Sequence, residues 1–136
     1  MGKDLTNSSI ERQNVLNNPY AVQEIQKAVD IQCIPFEDRM WLTKEQIASF
    51  FEVTPRTIDN YISKCEKELR HNGYEVIHGN RLKKFRIAVQ DQYVNETDFV
   101  NIKVPKLGIF DFRAFLNIAM LIAESERARL LRQAIL

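Results

Sequence analysis

The chain has little of what catalysis, export or membrane insertion would need. Its two histidines, His71 and His78, have no cysteine or carboxylate neighbours at metal-ligand spacing. No nucleophile elbow, phosphate loop or His-Pro-Phe motif occurs in its 136 residues. Asp111 and Glu124 read as charges at helix ends rather than as an acid/base pair. An enzyme is therefore not expected, and neither a metal nor a cofactor is implied. The two cysteines, Cys33 and Cys65, lack CxxC spacing and are expected to stay reduced. The N-terminal MGKDLTNSSIERQN has no apolar core of an export signal. The longest apolar stretch, Ala114 to Ala123, is broken by Asn117 and is too short for a bilayer. A cytoplasmic location is expected.

A large net charge is missing too. The formal value of +1 argues against nonspecific coating of a polyanion, but it hides an asymmetry. Between Val53 and Arg86 eight Lys/Arg face four acids, so that segment is +4 and the remainder is −3. What is present is the composition of a soluble globular protein, 45% hydrophobic and 27% charged. Trp41 and the phenylalanines at 36, 50, 51, 85, 112 and 115 read as core; their spacing does not suit a platform for stacking single-stranded bases.

Along the chain, residues 1 to about 17 are Asn- and Ser-rich and read as a loose arm. Asn18-Pro19 opens a short helix through Val29. Ile31 to Trp41 is an extended lead-in that can form a strand paired with the basic ribbon of residues 74 to 87. Thr43 with Gln46 forms a capping box at the start of a helix through Ile47, Ala48, Phe50 and Phe51. Thr54-Pro55 is a second helix start only eleven residues later, which forces a short helix, a turn and a second helix at a steep angle. Ile58, Ile62, Cys65 and Leu69 give that second helix one buried stripe, and Asn72-Gly73 ends it. Tyr74 to Ile87 is predicted to be a two-strand ribbon with its tight turn at Gly79-Asn80. A strand-like VNIKV run follows, then Pro105 and Gly108. Asp111 and Ser125 cap two final helices, and the last has no C-capping signal, as if the chain were the N-terminal piece of something longer.

This pattern is that of a winged helix-turn-helix. Ala48 suits the point where the two helices cross, and Ile47, Phe51, Val53, Ile58 and Tyr61 suit their packing. The turn position that favours glycine holds Glu52, at a cost of roughly 1 kcal/mol if its φ is positive. Facing outward are Thr54, Arg56, Thr57, Asn60, Ser63 and Lys64. Arg56 and Asn60 lie one turn apart, the residue types that read guanine and adenine bidentately. Thr54, Thr57 and Lys64 suit phosphate. Asp59 could accept from a cytosine amine, but it is expected instead to pair with Arg56 at i, i+3. Asn80, Arg81, Lys83 and Lys84 would place a basic ribbon tip in a minor groove or on phosphates.

The stretch from Trp41 to Ile62, WLTKEQIASFFEVTPRTIDNYI, resembles the RhuM-like bacterial proteins. The C-terminal FDFRAFLNIAMLIAESERARLLRQAIL resembles the second helical element of that family and of phage antirepressor (Bro-N-like) domains, with Arg127, Arg129 and Arg132 as its basic residues. The resemblance covers roughly residues 39 to 136, with residues 70 to 109 departing from it. It implies a prokaryotic or phage-derived DNA-binding regulator, of a kind sometimes found beside toxin genes.

The fold class expected is mainly α with a small β-ribbon, in four parts: an arm and short helix (1–38), the winged helix-turn-helix (39–88), a connecting segment (89–109) and a C-terminal helical pair (110–136). The function expected is sequence-specific binding of double-stranded DNA. The alternative is a module that binds a toxin or repressor protein through the same scaffold. A homodimer is expected because one short recognition helix seldom gives enough affinity, its surfaces lying at Val22 to Val29 and the C-terminal helices.

Overall fold

A computed structural model describes residues 5–92 and 104–135, with the side chain of Gln92 excepted. Among these residues the chain is mostly helical, with one small four-stranded antiparallel sheet. Helices α1 (Ser9–Leu16) and α2 (Pro19–Ala28) lead into strands β1 (Ile34–Phe36) and β2 (Arg39–Thr43). Then follow α3 (Lys44–Phe51), α4 (Pro55–His71), β3 (Tyr74–His78), α5 (Gly79–Gln92), β4 (Lys106–Asp111), α6 (Phe112–Leu121) and α7 (Glu126–Ile135).

The helix starts legible in the sequence are where the caps place them. Asn18 caps α2, with Pro19 at its first position. Thr43 and Gln46 form a reciprocal capping box on α3, Thr54 caps α4 ahead of Pro55, and Asp111 caps α6. Glu52 takes the left-handed conformation, φ 60° and ψ 42°, and closes α3. A side chain with a Cβ is strained there, so Glu52→Gly is expected to raise stability by about 1 kcal/mol, a few degrees in a thermal melt.

The structure differs from these expectations at the N-terminus and along the ribbon. Residues 1 to 17 are not a loose arm throughout: α1 is capped by Ser8 and buries Arg12 and Leu16, and Leu5 is buried ahead of it. The larger change concerns the ribbon. Gly79-Asn80 is no hairpin turn; it opens α5, and the partner of β3 is β4, a long way downstream. Leu82, Phe85 and Val89 are buried at spacings of three and four, which is helical periodicity rather than strand alternation. Gly108, read as punctuation, lies inside β4 opposite Val76. Most of the VNIKV run falls outside the described residues.

The sheet order is β1-β2-β4-β3. The β1–β2 hairpin turns at Glu37 and Asp38, whose φ values of 51° and 62° are those of a type I′ turn. Alternation along the strands divides the core into two layers. Leu42, Tyr74, Val76 and Phe110 face α3, α4 and α6, where Phe51 stacks on Phe115 at 5.2 Å. Trp41, Ile77, Leu107 and Ile109 face the other way, onto Leu82, Phe85 and Val89 of α5. There Phe36 meets Phe85 edge to face at 5.3 Å, and the Trp41 indole N–H donates to the Phe36 carbonyl at 2.9 Å. So α5 covers the sheet face opposite to α4. No helix among the described residues is long and apolar enough to cross a membrane.

Candidate nucleic-acid interface

Helix α4 is held from three sides. At its start Lys44 pairs with Asp59 at 3.0 Å, so Asp59 does not pair with Arg56 as its i, i+3 spacing had led us to expect. In its middle, Tyr61 donates to Glu124 at 2.5 Å and accepts from the Ala123 amide at 3.1 Å. At its end the Glu68 carboxylate takes a fork from Arg12, with both bonds at 2.7 Å, and a third bond from Asn117 at 2.6 Å. Burial alone would raise the pKa of Glu68, but the bonds from Arg12 and Asn117 and the charge of Arg12 hold it below its ordinary value. The helix breaks regular geometry only at Cys65, with φ −129° and ψ 32°.

The C-terminal helices brace this pair from behind. Ser125 donates to the Phe51 carbonyl at 2.7 Å while its oxygen accepts from the Ala128 amide. Arg127 donates to the Phe50 carbonyl and lies 5.1 Å from the centre of the Phe50 ring. Arg132 caps the end of α6 by donating to the carbonyls of Ala119 and Ile122. Arg129 pairs with Glu126 on its own helix. These arginines are therefore engaged within the fold.

The outward side of α4 differs. Ile58 and Leu69 are buried and Tyr61, Ile62 and Cys65 pack partly against the core, which leaves Arg56, Asn60, Ser63 and Lys64 exposed. None of the four has a side-chain hydrogen bond or ion pair among the described residues. Thr54 and Thr57 are placed differently: the Thr54 hydroxyl accepts from the Thr57 amide and lies 3.2 Å from the Thr57 hydroxyl. Lys67, which the sequence reading passed over, extends the stripe. Arg56, Asn60, Ser63 and Lys67 recur at four, three and four residues, the signal that would have found it.

The four residues assigned to a ribbon tip lie elsewhere. Asn80, Arg81, Lys83 and Lys84 all belong to α5, across the sheet from α4. Arg81 is tied to Glu37 at 2.6 Å and Glu75 at 3.1 Å, and its hydrogen bond holds the Glu37 carboxyl below its ordinary range. Arg39 completes the chain of charges, bridging Glu75 and Asp111. Asn80, Lys83 and Lys84 are exposed and have no side-chain hydrogen bond or ion pair among the described residues, though the charge of Lys84 helps to hold the Glu37 carboxyl down. His71 and His78 are also exposed, and no cluster of three or more potential metal ligands occurs among the described residues. Both cysteines are free thiols.

No family model, curated protein or solved structure matches the chain.

Proposed function

We propose that the chain binds double-stranded DNA at specific sites, as a winged helix-turn-helix whose α4 enters the major groove. One observation carries this reading. Each acid on α4 is neutralised by a basic partner, Asp59 by Lys44, Glu66 by Arg70 and Glu68 by Arg12, while Arg56, Lys64 and Lys67 are left without one. The outward stripe thus presents unopposed positive charge together with Asn60 and Ser63, which suits phosphate attraction and reading of base edges. Strand order is compatible with the same reading: β2 precedes the helix pair, and β4, last in sequence, lies between β2 and β3, although α5 stands in the connection where a winged module has a hairpin. The resemblance of Trp41–Ile62 to RhuM-like proteins suggests a bacterial or prophage transcriptional regulator, working as a homodimer on paired half-sites.

The test is selection of duplexes from a random pool by the wild-type chain, repeated with Arg56→Ala. The variant is expected to lose about 1–3 kcal/mol of discrimination, roughly 5- to 150-fold, at one base pair of the selected site. Its binding to scrambled duplex should change far less. Enrichment of no sequence by the wild type, or an identical preference in the variant, would overturn the recognition-helix assignment. Indifference to salt as well would favour a protein partner.

A further inference from the structure

If α4 lies in a major groove, a second element has to fix the helix on the duplex. The basic residues that the sequence offered for this, Lys83 and Lys84, are on α5, behind the sheet. The strands provide another pair. Along β3, Tyr74 and Val76 point to the α4 side, and His78 is next in that alternation. Along β4, Phe110 points the same way, and Gly108 and Lys106 follow in step. His78 and Lys106 are partners in the ladder, directly opposite one another. Their side chains therefore emerge together, at the far end of the β3–β4 ladder and on the same side as α4. Both are exposed, and neither has a side-chain partner among the described residues.

Lys106 also lines an open cleft of about 240 Å³ with Asp59 and Ile62 of α4, Lys44 and Glu45 of α3 and the apolar flank of β4. Within that cleft Asp59 is held by Lys44, and Glu45 is also engaged. Lys106 is thus an exposed cation of this cleft without an ion pair among the described residues, and it shares the cleft with residues of the helix proposed to enter the groove.

We propose that Lys106 and His78 form the backbone clamp of this module, with one DNA strand crossing the mouth of the cleft between α4 and β4. The Lys106 ammonium and a ring N–H of His78 donate to phosphate oxygens; these contacts fix register and carry no sequence information. The inference rests on the proposed DNA-binding function, and it moves the clamp from α5 to the β3–β4 strands.

The experiment uses the full chain and two labelled duplexes, the one selected by the wild type and a scrambled one, titrated at several salt concentrations by fluorescence anisotropy. Lys106→Gln and the double variant Lys106→Gln/His78→Ala are compared with Lys106→Arg and with Lys83→Ala/Lys84→Ala. Far-UV circular dichroism checks that each is folded. Lys106→Gln is expected to lower the slope of log affinity against log salt by about 0.9. It should weaken both duplexes by a similar factor and so preserve the preference between them. Lys106→Arg should keep the wild-type slope, as should the α5 double variant. An unchanged slope in Lys106→Gln/His78→Ala, or a reduced slope in Lys83→Ala/Lys84→Ala, would overturn the clamp. If the wild type has a preference that Arg56→Ala relaxes, such a result removes the clamp alone; if the wild type has no preference, the clamp falls with the reading beneath it.

Discussion

Glu68→Ala is expected to cost about 3–5 kcal/mol, because it leaves the charge of a buried arginine without its partner. The Arg12 side chain is only 8% exposed, and its other acceptors are the backbone carbonyls of Leu5 and Thr6. Loss of the carboxylate also strips Asn117 of an acceptor, inside a polar cluster that joins α1, α4 and α6. There Asn72 donates to Asn117 at 2.8 Å and exchanges hydrogen bonds with Gln13, while Arg113 donates to Asn72. For a domain of ordinary stability, about 5–15 kcal/mol, this is a large fraction of the whole. Urea unfolding followed by circular dichroism measures it. Replacing both charged partners, as in Arg12→Met/Glu68→Met, is expected to cost less than the two single changes added together. The pH dependence has a definite sign. The folded pKa of Glu68 is lowered, so its contribution is present above its ordinary 4.5 and is lost as pH falls through the lower folded value. That acid-labile share of stability should be missing from Glu68→Ala.

Gly73→Ala is expected to cost about 3 kcal/mol or more, from positive-φ strain and a displaced helix cap. Gly73 has φ 113°, and a Cβ built on it would lie 2.0 Å from one Asp111 carboxylate oxygen and 2.2 Å from the carboxyl carbon. That carboxylate cannot retreat cheaply, since it accepts from the Ala114 amide at 3.0 Å, capping α6, and pairs with Arg39. The Gly73 carbonyl meanwhile accepts from the Asp111 amide, so the two backbones are joined as well. In a double-mutant cycle Asp111→Ala should relieve part of the collision, so that the pair costs less than the sum of the singles. A strictly additive result would show that strain at Gly73 is the whole effect. Asp111 titrates with the opposite sign to Glu68. Burial raises its folded pKa above 3.8, despite the hydrogen bonds and arginines beside it. Its titration therefore favours the fold below its ordinary range, an advantage lost as pH rises through the folded value.

The parts of this fold that the sequence disclosed are those written in local chemistry. Thr43 with Gln46, Thr54 with Pro55, Asn18 with Pro19 and Asp111 each announce a helix start within four residues, because a cap acts on the amides next to it. The break between α3 and α4 was legible for the same reason, and Glu52 stood out as the costly position if its φ were positive, which at 60° it is. Long-range pairing was not. Glycine followed by asparagine at residues 79 and 80 is a strong hairpin signal, and it outweighed the helical spacing of Leu82, Phe85 and Val89. Nothing local indicated that the partner of β3 begins at Lys106. Arg12 sits in a polar segment that looked unstructured, and its carboxylate partner is 56 residues away. The stripe on α4 was visible as far as Lys64, whereas His78 and Lys106 acquire a common face only once the ladder is known.

The outward face of α4 is the surface proposed to meet DNA. The most direct test of this contact is anisotropy of the wild-type chain on its selected duplex, with unlabelled competitor present, across a range of salt. Binding that outlasts competitor and weakens steeply, by about 0.9 in log affinity per decade of salt for each phosphate contacted, is the result expected. Binding that ignores salt, or that any competitor abolishes, would contradict it.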